Sequence, residues 1–126
     1  MAQQRRERRI GDRLLLLEHF PVYTIGRGGD QANLLASADR LRELGAEFVR
    51  IDRGGDITFH GPGQIVGYAI VDLAARDRDL HRYLRDVEEV LLRALADFGI
   101  VADRAPGLTG AWVADAKIAA IGVRVS

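Results

Sequence analysis

The residues from Arg53 to Leu73 read R-G-G-D-I-T-F-H-G-P-G-Q-I-V-G-Y-A-I-V-D-L and constrain this chain more than any other stretch. Five of its fourteen glycines fall within the first fifteen of them. Glycine loses the most conformational freedom on folding. Such a cluster beside Arg53, Asp56, Thr58 and His60 therefore predicts backbone in unusual conformations, passing close to a bound group. Pro62 fixes its own φ and drives Gly61 out of the helical region, so Gly61-Pro62-Gly63 is a stiff turn. Beyond it, Ile65 to Leu73 is β-branched and apolar enough to be a buried strand. The plainer alternative is a glycine-rich hairpin that binds nothing.

Elements on either side follow from local signals. Ala2 to Arg9 is an arginine-rich arm, expected to be disordered rather than the end of a helix. Leu14 to Leu17 reads as a buried strand, Pro21 marks a bend, and Val22 to Ile25 is a second extended piece. Gly26-Arg27-Gly28-Gly29 lacks the third glycine of a dinucleotide fingerprint and opens no apolar helix, so that reading is set aside. Asp39 to Leu44 is a short helix with Asp39 as its cap and Gly45 as its stop. Phe48, Val49 and Ile51 then form a strand leading to Arg53. The longest helix runs from Leu80 to Phe98, where Leu80, Leu84, Val87, Leu91, Leu95 and Phe98 recur at spacings of four and three. That stripe belongs to the core, with Asp79 capping the helix and Gly99 ending it. Ile100 to Ala102 reads as a short strand, and the runs around Trp112 and from Lys117 to Val125 as a β-hairpin.

Composition excludes several classes. Eighteen basic residues are balanced by eighteen acidic ones, so nothing supports a nucleic-acid-binding surface. No apolar run is long enough to span a bilayer and the N-terminus has no signal-peptide core, from which a cytoplasmic location with no membrane partner is expected. The chain has no cysteine, and hence no disulfide, thiolate zinc site or thiol nucleophile of its own. Its three histidines are scattered without a His-x-x-x-His pair, and no metal or cofactor is expected. His19 reads either as a hydrogen-bonded group near a strand end or as part of a substrate pocket.

The order Arg53-Gly54-Gly55-Asp56-x-Thr58-Phe59-His60-Gly61-Pro62-Gly63-Gln64 resembles the signature of the lipoyl(octanoyl) transferases. So do Glu18-His19-Phe20-Pro21-Val22-Tyr23-Thr24 and Lys117-Ile118-Ala119-Ala120-Ile121-Gly122-Val123. The departures are small: Phe20 stands where the family commonly has proline, as does Ala69. In the related lipoate and biotin ligases the comparable loop carries Asp and Asn at the places of Pro62 and Gln64.

The resemblance implies one α/β (α+β) domain over residues 1–126, a mixed sheet with packed helices like the biotin/lipoate protein ligase catalytic domain. It implies transfer of an octanoyl group from octanoyl-acyl carrier protein to a lysine of lipoyl domains, in 2-oxoacid dehydrogenases and the glycine cleavage H protein. Carried over by motif, Arg53, Gly54, Gly55, Asp56, Ile57, Thr58, Phe59 and His60 line the acyl or thioester end of the site, faced by Ala120, Ile121 and Gly122. Lys117, the chain's only lysine, stands where the family has its catalytic lysine. An ammonium beside a thiol favours the thiolate, and an amine can release a proton where a guanidinium does not. The family continues into an H-G-x-A-L-N strand and a P-C-G loop that carries the nucleophilic cysteine, and neither occurs here. The expectation is therefore a fragment, inactive without that cysteine. The alternatives are an ATP-dependent lipoate or biotin ligase, and a non-catalytic acyl or carrier-protein binding module.

Overall fold

The computed structural model describes residues 1–125; Ser126, the last residue of the expected domain, lies outside them. The chain divides into two compact units, Met1–Val71 with the run from Gly122, and Asp72–Ile121, and each is described by itself.

The first unit opens with α1 (Ala2–Arg6) where a disordered arm was expected. The Gln3 side chain donates to Glu7 at 2.9 Å, and Arg5 pairs with Asp12 at 2.7 Å, so local contacts support the single turn. β1 (Arg13–Leu17) pairs antiparallel with a later strand, β5 (Val66–Ile70). The expectation of two buried strands fails here. Leu14 and Leu16 are 64% and 66% exposed, because their partners across the ladder are Ala69 and Gly67, too small to shield them.

β2 (Val22–Ile25) is the centre of a mixed three-stranded sheet, parallel to β3 (Glu47–Arg50) and antiparallel to β4 (Ile57–His60). Ile25 is buried at the end of β2, and Leu41 of α2 (Ala38–Glu43) is the other buried aliphatic residue of this unit. Ser37, not Asp39, caps α2: its Oγ accepts the Arg40 N–H at 3.2 Å, while Asp39 lies one residue inside and pairs with Arg42. β4 takes four residues that the sequence reading gave to the loop. Ile57, Thr58 and Phe59 suit a strand, and the free edge of β2 supplies the ladder they need. The Tyr23 and Phe59 rings meet at 5.0 Å across it. Gly61 to Gln64 then forms the expected turn, closed by the Gln64 N–H on the Gly61 carbonyl at 3.1 Å. Gly63 has φ +83°, as the third position of a Pro-Gly type II turn requires.

In the second unit Asp72 accepts the Ala74 N–H at 2.9 Å and caps a 3-10 turn, Leu73–Arg76. The strand expected to reach Leu73 therefore stops at Ile70. α3 (Leu80–Asp97) has the caps read from sequence: Asp79 Oδ1 accepts the Arg82 N–H at 2.9 Å, and Gly99 follows the last turn. Its apolar stripe is half-buried from Leu80 to Leu95, but Phe98, the C-cap, is 83% exposed. The fully buried residue of the helix is Glu88. Its carboxylate accepts the Gly110 N–H at 3.1 Å and pairs with Arg85 at 2.7 Å and Arg104 at 3.2 Å. Desolvation pushes this carboxyl up, but the Gly110 N–H and the two guanidiniums outweigh it and hold the group below the ordinary glutamate range.

The hairpin is present as β6 (Ala111–Val113) and β7 (Ala116–Ala119), with a bulge between Ala111 and Trp112. It is shorter than expected, since Ala119 pairs with Ala111 and Gly110 then turns away toward Glu88. The strand expected at Ile100–Ala102 reduces to a bridge between Asp103 and Trp112. Among the described residues no helix is long and apolar enough to cross a membrane.

Candidate functional site

Arg53 shapes the loop from within. Its guanidinium donates to the Gly54 carbonyl at 2.9 Å and, through Nη2, to Thr24 Oγ1 at 3.0 Å and the Thr24 carbonyl at 3.2 Å, which ties the loop to the end of β2. Asp56 likewise faces protein groups: its carboxylate accepts the Asp30 N–H at 3.2 Å and the Asn33 side-chain amide at 2.5 Å. Both residues hold the glycine segment in place. The Gly54 N–H reaches the Val123 carbonyl at 3.4 Å, so Gly122 runs beside Arg53 and Gly54. Arg124 pairs with Asp52 at 2.7 Å, and Asp52 also binds Arg27. Those contacts, Arg27 foremost, hold the Asp52 carboxyl below its ordinary range.

Gly55 sits at φ +93°, a conformation that side chains with a Cβ rarely adopt. A side chain at this position therefore strains the backbone whatever room surrounds it. Gly55→Val should lower stability by about 1–3 kcal/mol from backbone strain, whereas Gly54→Ala, whose Cβ would meet ordinary contact distances, should leave it nearly unchanged. Thermal unfolding of both variants checks this; equal melting temperatures would contradict it.

At the other end of β4 the structure gathers residues that the sequence does not show as neighbours. His19 Nε2 and the Tyr68 hydroxyl are 2.7 Å apart, and the His19 and His60 rings lie 5.6 Å apart, tilted by 39°. His60 Nδ1 donates to Gln64 Oε1 at 3.0 Å, which leaves Nε2 of a neutral ring as the acceptor. Glu18 accepts the Gly63 N–H at 3.0 Å and pins the turn to the segment that carries His19. Both histidines are half-buried. The cluster can hydrogen-bond a carbonyl or move a proton.

Thr58 also borders an open cleft of about 340 Å³ with Ile57, Phe59, Tyr23, Asn33, Leu34, Leu35 and Ala36. Its lining is mainly apolar. Tyr23 and Asn33 to Ala36 were missed by the sequence reading, because they reach the cleft only through the β2–β4 pairing and the 3-10 turn Gln31–Asn33.

In the second unit Lys117 is exposed on β7, with Nζ 4.8 Å from the centre of the Trp112 ring. Ala120 is exposed and Ile121 half-buried, both beyond the end of β7. Among the described residues no three or more His, Cys, Asp or Glu side chains group to hold a metal ion.

Residues 1–126 match the family described as the lipoyl protein ligase A/B catalytic domain. The chain is 57% identical to the octanoyltransferase of Rubrobacter xylanophilus, over all of this chain and 57% of that protein. It is 57% identical to that of Geotalea uraniireducens, over 89% of this chain and 49% of that protein. It is 50% identical to that of Solibacter usitatus, over all of this chain and 57% of that protein. The chain thus spans about half the length of these relatives.

Proposed function

The chain belongs to the lipoyl protein ligase A/B catalytic domain family, and from that premise we propose that it serves octanoyl transfer from acyl carrier protein to a lysine of a lipoyl domain, in the cytoplasm. The observation that carries this reading is its likeness, along the whole chain, to proteins named octanoyltransferase.

In the reaction a cysteine thiolate attacks the octanoyl thioester, forms an acyl-enzyme and releases the carrier thiol. The acceptor lysine amine then attacks the acyl carbonyl, the amide forms and the thiolate is regenerated. These residues include no cysteine, so their share is to bind the acyl group and to supply the acid-base lysine. The cleft beside Thr58, at the small end of the roughly 300–1,000 Å³ typical of ligand pockets, suits one short apolar chain. His60, His19 and Tyr68 offer polar contacts for a thioester near the other end of β4. Lys117 is the acid-base group.

A ligase of the same family first activates its acid with ATP, and this separates the two chemistries. An octanoyl thioester of pantetheine should raise the melting temperature, because it binds the folded state alone. ATP with magnesium should leave it unchanged. A rise with ATP and none with the thioester would transfer the reading to the ligase.

A further inference from the structure

We propose that Trp112 is the positioning residue for Lys117, holding its ammonium on the face of the indole ring; this rests on reading Lys117 as the acid-base group. The two residues are direct partners across the β6–β7 hairpin, and Nζ stands 4.8 Å from the ring centre. Among the described residues no carboxylate pairs with that ammonium, and the aromatic face is its contact. A lysine on an exposed strand otherwise samples many rotamers. A cation over an indole face is the strongest of the aromatic pairings of this kind.

The platform is itself fixed. Trp112 exchanges both backbone hydrogen bonds with Asp103, at 2.8 and 2.9 Å. Two residues earlier, the Gly110 N–H is held by the buried Glu88 carboxylate. Among the described residues the buried indole Nε1 has no hydrogen-bond partner, although a buried indole N–H usually finds one. The ring is thus not held by a hydrogen bond of its own, and its face is open to the Lys117 ammonium. Phenylalanine would keep a face for the cation and lose only the N–H; leucine would keep bulk and lose the face.

The chain's single lysine makes the test direct. In the 126-residue chain labelled with ¹³C-lysine, the Lys117 ε-methylene protons should resonate upfield of free lysine through the ring current. They should return to the free position in Trp112→Leu and stay upfield in Trp112→Phe. An unshifted wild-type signal overturns the placement whatever Lys117 does, and needs no variant to fold. The functional arm uses a chimera in which these residues replace the matching part of the Rubrobacter xylanophilus octanoyltransferase. There Trp112→Leu should slow formation of the acyl-enzyme by roughly threefold to tenfold, and Trp112→Phe should largely restore it. If Lys117→Ala is slow but Trp112→Leu acylates at the parent rate, positioning by Trp112 is wrong. If Lys117→Ala itself acylates at the parent rate, the acid-base reading of Lys117 is what fails.

Discussion

Glu88→Ala should destabilise the chain by about 3 kcal/mol, at the low end of what breaking a buried ion pair costs. The carboxylate is fully buried on α3 and receives the Gly110 N–H, Arg85 and Arg104 together. Alanine would leave a buried N–H unpaired and two guanidiniums facing each other. The loss is not larger because Arg85 and Arg104 keep 55% and 35% of their side-chain surface exposed, where water can serve them. The sign with pH follows from a folded carboxyl held below its ordinary range. The stabilisation is complete above the ordinary glutamate range and is lost as pH falls through the lower folded value. Denaturant unfolding of the wild type and of Glu88→Ala at neutral and acid pH measures both effects. The gap between the two proteins should close on the acid side, and a gap that is absent at neutral pH would show that the cluster adds nothing.

In the chimera described above, Lys117→Ala should cut acyl-enzyme formation by roughly a hundredfold or more, as expected for a positioned acid-base group. Folding should be intact, because the side chain is exposed and its contact is one aromatic face. Lys117→Arg should not restore the rate: a guanidinium keeps the charge but is broader and does not release its proton. Single-turnover acylation from octanoyl carrier protein gives the number. Parent-like acylation by the alanine variant would remove Lys117 from the mechanism.

What could be read in advance depended on how local each signal was. Asp79 and Gly99 bound α3 as expected because a cap is a contact between residues three or four apart. Gly61-Pro62-Gly63 made its turn for the same reason. Glu88 was not legible: a glutamate on the flank of an amphipathic helix looks solvent-facing. Its burial comes from Arg104 and Gly110, sixteen and twenty-two residues away. The pairing of His19 with Tyr68 spans forty-nine residues and depends on β5 returning beside β1. β4 was read as loop because only the edge of β2 makes its four residues a strand. Lys117 was singled out by resemblance, but its partner Trp112 follows from the register of a bulged hairpin.

The central claim is that these residues carry the acyl-binding and acid-base part of an octanoyltransferase. Its most direct test is the unmodified chimera, given octanoyl carrier protein and a lipoyl domain in the absence of ATP. Transfer of one octanoyl group to the acceptor lysine, at a rate close to that of the Rubrobacter protein, is the predicted result. A folded chimera that transfers nothing, or that transfers only when ATP and free octanoate are supplied, would contradict it.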